Sequence, residues 1–160
     1  MQTFFNPMGR IGPDAFRNAA LILIAISAAI ALLPLVAPQL AMFTFASLAL
    51  LYPWAVIWVK RLHDAGKSGK LFLAILAAWW VVSAIASWFI SSQFGTPIVP
   101  PTDPADRANF SVVAAMTEQM VAVALPAMIA NAVISLVFAL LINEQLKSDP
   151  QQNAYGAPSA

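Results

Sequence analysis

Lys60-Arg61-Leu62-His63-Asp64-Ala65-Gly66-Lys67-Ser68-Gly69-Lys70 separates two long apolar runs, Leu40 to Val59 before it and Leu71 to Ser91 after it. A helix needs about 20 apolar residues to cross the hydrocarbon core of a bilayer, so the charged segment reads as a short loop between two membrane spans. Two further runs have the same character, Asn18 to Ala37 and Val121 to Ile142, and none of the four contains a charged side chain. The period-two alternation of barrel strands is absent, whereas a helix satisfies its backbone groups within its own segment. The expected fold class is all-α: an integral membrane four-helix bundle over residues 1–147, with spans at 18–37, 40–59, 71–91 and 121–142.

Composition agrees. Of the 160 residues 61% are apolar and 9% charged, against about 25% charged in soluble domains. The absence of cysteine excludes disulfides, thiolate nucleophiles and cysteine-ligated metals. No basic surface of the kind nucleic acid requires is visible.

Orientation follows from lysine and arginine, which are retained on the cytoplasmic side of a membrane. Arg10, Arg17, Lys60, Arg61, Lys67, Lys70 and Lys147 share one side if both termini lie together, and only Arg107 falls on the other. Both termini and the 60–70 loop are therefore expected in the cytoplasm, with an outer loop at 92–119. The first apolar run is longer than the 7–15 residues usual for a secretory signal core, so it is expected to be retained as a span despite Ala29-Ile30-Ala31.

Gly12-Pro13-Asp14 reads as a helix start, with proline at the first helical position and a carboxylate at the positive dipole end. The residues before it, with Phe4, Phe5 and Ile11, are expected to lie along the inner membrane surface. Pro38 and Gln39 make a turn so short that the first two spans must be antiparallel neighbours. Pro34, Pro53 and Pro126 inside spans predict kinks, and a cavity near Pro53 and Pro126 is an allowed consequence. Ala127, Asn131, Ser135 and Ala139 recur every four residues, as do Ser83, Ser87 and Ser91; such stripes read first as helix-packing seams. Thr102-Asp103-Pro104 predicts a cap before an amphipathic helix over 105–119. From Ser148 to Ala160 the polar, proline-containing composition predicts a disordered tail.

Three catalytic signatures can be glimpsed in the central loop, and each lacks a partner. Gly66-Lys67-Ser68 ends like a phosphate-binding loop, but the opening glycine would be position 61, which is arginine. Gly66-Lys67-Ser68-Gly69 looks like an intramembrane serine-protease motif, yet His63, the only histidine, stands in the same loop rather than on another buried helix. His63-Asp64 alone cannot hold a catalytic metal. No catalytic residue, metal or cofactor is expected. Lys60 and Arg61 close the second helix at its negative end and can snorkel to phosphate level. Gly66 supplies the permissive backbone of a helix end, Ser68 is placed to cap the third helix, and His63 can titrate near neutral pH.

At this loop the chain resembles the bacterial inner-membrane family known as domain of unknown function 805, the YhaH type. Its hallmark is Arg-Leu-His-Asp, a variable residue, Gly, a second variable residue, then Ser-Gly and an aromatic; Arg61, Leu62, His63, Asp64, Gly66, Ser68 and Gly69 match. Its N-terminal signature, Gly-Arg-Ile followed by a phenylalanine before the first span, is similar to Gly9, Arg10, Ile11 and Phe16. Lys70 and Arg17 replace aromatic residues common in the family. The resemblance implies a multi-pass inner-membrane protein and no established activity.

The leading expectation is a non-enzymatic protein that offers membrane lipids, anionic head groups among them, or a protein partner a polar surface. Arg10, Arg61, His63, Asp64, Gly66, Lys67, Ser68 and Gly69 are its candidate residues, and Asn131 and Ser135 pack helices. The alternative is a transporter or channel component working as a homo-oligomer, against which stands the lack of ionisable side chains within the spans. A membrane enzyme centred on His63 and Asp64 ranks third.

Overall fold

A computed structural model describes residues 2–95, 98–107 and 110–159. The elements in chain order are α1 (Gln2–Phe5), α2 (Pro13–Ala31), α3 (Leu33–Val36), a 3-10 segment (Pro38–Leu50), α4 (Leu51–Asp64), α5 (Leu71–Phe94), α6 (Pro104–Arg107) and α7 (Val112–Gln145). Among the described residues four helical stretches are long and apolar enough to cross a membrane: Pro13–Val36, Phe45–Asp64, Leu71–Phe94 and Val112–Gln145. Among the described residues there is no strand.

The prolines punctuate these helices as their chemistry requires. Pro13 occupies the first turn of α2, after an extended Gly12. Pro34 has no N–H to offer the preceding turn, and the first span breaks at Leu32, restarting as α3. Ala37 alone is extended before Pro38 opens the 3-10 segment, the tight reversal expected there. Pro53 falls in the first turn of α4, where the backbone changes from 3-10 to α geometry. Only Pro126 lies well inside a continuous helix.

Several boundaries differ from the sequence reading. The second helix does not stop at Val59: α4 continues to Asp64, so Lys60 to Asp64 are its last turn rather than loop. The fourth helix begins at Val112, capped by Ser111, whose Oγ accepts from the Ala114 N–H at 3.2 Å. At 34 residues it is about 51 Å long at the helical rise. The amphipathic helix expected over 105–119 is thus split between α6 and the first turns of α7, and its residues 108 and 109 lie outside the described residues. The N-terminal segment is laid against α4, where Tyr52 donates to the Phe5 carbonyl at 2.8 Å and Ile11 N–H to the Lys60 carbonyl at 3.3 Å.

The tightest core lies at the end of the bundle where α2 begins and α4 and α7 finish. Phe16, fully enclosed, meets Trp58 with ring centroids 4.6 Å apart, among Ile11, Ala20, Leu23, Ile57, Leu62, Ala139 and Leu146. α2 packs against α7 and α4, and α5 against α7 and α4. α5 is otherwise apolar and exposed, with Leu73, Trp80, Ile85, Trp88 and Phe89 outward, the surface a helix shows to hydrocarbon. The stripe on α7 acts as a seam at one point: Trp79 Nε1 donates to Ser135 Oγ at 3.2 Å across the α5–α7 contact. Asn131 instead bonds back to the Ala127 carbonyl of its own helix at 2.9 Å.

Candidate functional site

The chemistry-bearing residues gather at that well-packed end. α4 stops there in a Schellman turn. The Lys67 N–H reaches the Leu62 carbonyl at 2.8 Å and the Gly66 N–H the His63 carbonyl at 3.1 Å, with Gly66 at φ +66°. Substituting Gly66 with alanine is expected to lower stability by about 1–2 kcal/mol, the cost of a left-handed backbone for a residue with a Cβ. Asparagine should recover part of it, and thermal unfolding in detergent would compare the variants. Gly69 answers to space rather than to conformation. A Cβ on it would meet Val59 Cγ1 at 2.9 Å and His63 Nε2 at 3.1 Å, so the glycine lets the chain pass close to α4 before α5 begins.

Asp64 is completely buried and is the hub of a polar cluster. Its Oδ2 accepts from Arg61 Nη1 at 2.8 Å and from Ser148 Oγ at 2.5 Å. Its Oδ1 accepts from Arg10 Nε at 3.1 Å and Ser159 Oγ at 2.7 Å. A carboxylate has room for about four such bonds, and all are made. Its own carbonyl accepts from the Asp149 N–H at 2.8 Å and from Arg10 Nη2 at 3.1 Å.

Both guanidinium groups are used to the same extent. Arg61, 1% exposed, donates to the Asn143 side chain and, at 3.1 Å, to the Asn143 carbonyl, as well as to the Leu146 carbonyl and to Ser148. Arg10, its side chain 2% exposed, reaches the carbonyls of Gln151 at 2.8 Å, Gly156 at 3.4 Å and Asp149. A buried charge is tolerable when it is paired and its remaining hydrogen-bonding capacity is filled. Here one carboxylate stands between two such cations, and backbone carbonyls take up the surplus positive charge. The cluster joins the N-terminal segment, α4, α7 and the C-terminal residues.

The expected disorder from Ser148 onward is therefore a misreading. Residues 148–159 fold back over the cluster, because Arg10, Arg61 and Asp64 provide buried polar partners that composition does not reveal. Tyr155 stacks on His63 with centroids 3.7 Å apart and planes 2° from parallel. Asn153 Nδ2 donates to the His63 carbonyl at 3.1 Å and to Asp149 Oδ2 at 3.2 Å. Bonds from the Gln151 N–H and then from the Asn153 amide hold the Asp149 carboxyl below the ordinary carboxylate range. His63 Nδ1 lies 3.4 Å from the Gly9 carbonyl oxygen.

The eight candidate residues are thus brought to one place and differ in role. Arg10 and Arg61 face inward and each binds Asp64, His63 is half-covered, and Gly66 and Gly69 shape the backbone. Lys67, Ser68 and Lys70 are exposed. Ser68 does not cap α5 in the expected manner: its Oγ accepts from the Lys70 N–H at 3.3 Å, one residue before the helix. The N–H groups of Leu71, Phe72 and Leu73 bond to the carbonyls of Ser68, Gly69 and Lys70. An anion at this end would therefore be met by ammonium groups and not by open amides.

The sequence reading did not include Asn143, Ser148, Asn153, Tyr155 or Ser159. Asn143 carried a signal, as the first polar residue after an apolar span, and so did Tyr155, the one aromatic in a polar tail.

A model of the family described as protein of unknown function (DUF805) matches residues 4–157 of the chain. No curated protein and no solved structure matches it.

Proposed function

Since the chain belongs to the DUF805 family of proteins of unknown function, we propose a role built on its own geometry: a non-enzymatic protein of the bacterial inner membrane that binds anionic lipid head groups at the α4–α5 connection. The observation that carries this reading is the division among the cations. Arg10 and Arg61 are consumed within the cluster, while Lys67 and Lys70 are exposed on either side of Ser68 at the foot of an apolar helix. Cations at that depth attract anionic lipid by about 1 kcal/mol each. The buried cluster serves as a frame that fixes the connection against α4. Cytoplasmic placement of this end rests on the distribution of lysine and arginine; a reporter fused after Lys147 should be active in the cytoplasm.

Replacing Lys67 and Lys70 together with glutamine is expected to cut retention of cardiolipin or phosphatidylglycerol in native mass spectrometry several-fold, without a change in unfolding temperature. Unchanged retention would overturn the reading. Loss of a co-purifying protein instead would transfer the same surface to a protein partner.

Membership of an oligomeric transporter or channel is the second reading, and one feature favours it. A cavity of about 570 Å³ lies between the helices, bordered by Pro34, Trp54, Ala127, Asn131 and Ser135 among others. Its lining contains no ionisable side chain, which speaks against an ion or proton path.

A further inference from the structure

The C-terminal residues cover a cation whose charge they do not neutralise. Arg10 is fixed along one edge by Asp64, from Nε to Oδ1 at 3.1 Å and from Nη2 to the main-chain carbonyl at 3.1 Å. The other edge of the guanidinium meets the backbone of the tail: Nη1 donates to the carbonyls of Gln151 at 2.8 Å and Gly156 at 3.4 Å, and Nη2 to that of Asp149. Arg10 and Arg61 share a single carboxylate, so one positive charge of the buried cluster is left to carbonyl dipoles. Two parallel N–H donors on a rigid plane match two oxygens of a phosphate, and such charge-assisted bonds are about twice as strong as those to a neutral acceptor. The three tail carbonyls stand where phosphate oxygens would.

The tail can leave this edge without dismantling the bundle. Residues 148–159 hold no helix and no strand, and one isolated bridge joins Asn153 to Gly156. They add nothing to the buried apolar core, whose last member is Leu146. The ring of Tyr155 lies on His63 and not on that core. A segment held by polar bonds, with little apolar burial, opens at a far lower free energy than a packed helix. Lifting it frees Nη1 and the outer side of Nη2, while the bonds to Asp64 keep Arg10 in position. The Asp149 carboxylate, which accepts from the Gln151 N–H and from Asn153 within the same segment, departs with it and removes a like charge from the approach of an anion.

We propose that the outer edge of Arg10 is a binding site for a phosphate group, and that in the closed protein the carbonyls of Asp149, Gln151 and Gly156 occupy it in place of the ligand. A phosphate on a lipid head group or on a soluble molecule offers the same oxygens. Binding and seating of the tail are then mutually exclusive, so the tail lowers the affinity of the site by competition. The site requires neither Lys67 nor Lys70 and lies beyond the head-group reading.

Phenylglyoxal, which modifies accessible guanidinium groups, reads the state of Arg10 by peptide mass spectrometry. In the full-length wild type Arg10 should remain unmodified while Arg17, its side chain 52% exposed, reacts and serves as the internal standard. Combining Asn153→Ala, Tyr155→Ala and Ser159→Ala in the full chain removes side-chain anchors of the tail and leaves Arg10 and Asp64 intact. Arg10 should then react, Arg61 should not, and inorganic phosphate should slow the Arg10 reaction several-fold relative to chloride at equal ionic strength. Protection by phosphatidylglycerol in mixed micelles but not by inorganic phosphate would assign the site to a lipid; protection by both would assign it to the phosphate alone. Equal Arg10 reactivity with and without either ligand in the released variant would overturn the proposal. So would an Arg10 that reacts like Arg17 in the wild type, or one that stays unreactive after release, since the tail would then not gate it. Adding Lys67→Gln and Lys70→Gln to the released variant should leave the protection by inorganic phosphate unchanged, so failure here and failure of the head-group reading are separate results.

Discussion

Asp64→Asn is expected to destabilise the detergent-solubilised protein by about 3–5 kcal/mol, the cost of breaking a buried ion pair by removing one partner. The carboxylate accepts from Arg61, Ser148, Arg10 and Ser159 and is completely buried. An asparagine of the same shape turns one oxygen into an N–H donor. That donor then faces a guanidinium and a hydroxyl, and two buried cations lose their counter-charge. Thermal unfolding would measure the loss. Combining the variant with Arg61→Met should cost less than the sum of the two single changes, since the charge left stranded by each is removed by the other. A simple sum would mean that the two groups do not act as a unit.

Deleting residues 148–160 is expected to have the next largest effect. Arg10 then loses the carbonyls of Asp149, Gln151 and Gly156, Asp64 loses two hydroxyl donors, and His63 loses its stacked ring. Water reaches the opened face and replaces part of this bonding, so the net loss is about 1–3 kcal/mol, well below the sum of the contacts. Limited trypsin digestion gives a sharper reading. The Arg10 side chain is 2% exposed in the intact protein and should resist cleavage there, and the truncated chain should be cut after Arg10. Tyr155→Ala should fall between the two. Resistance at Arg10 in the truncated chain would show that the tail does not shield the cluster.

What the sequence makes legible here is what bilayer physics enforces. Apolar run length set the four spans, Pro13 the start of α2, and Pro38 the first reversal, because each acts through a local rule that needs no partner. The 3-10 geometry of Pro38–Leu50 was not legible: either hydrogen-bond register satisfies a lipid-facing backbone, so hydropathy does not choose between them. The end of α4 was half legible, since Gly66 marks it while the loop was expected to start at Lys60. Charge at Lys60 and Arg61 looks like exit from the membrane, yet the helix needs only Gly66 to end it, and Arg61 and Asp64 remain inside because they meet each other and Asn143. The site was half legible. The residues around His63 announced themselves by density of charge, but which of them point inward depends on Ser148, Tyr155 and Ser159, more than 80 positions away.

The ring of bonds around Asp64 draws on both Arg10 and Ser159, and this imposes an order on biogenesis. Arg10 leaves the ribosome early and Ser159 late, so the N-terminal guanidinium must stay hydrated at the membrane surface while all four spans are inserted. Closure of the ring then follows insertion of the spans, and a nascent chain stalled before Ser148 carries an exposed arginine that a quality-control protease could recognise.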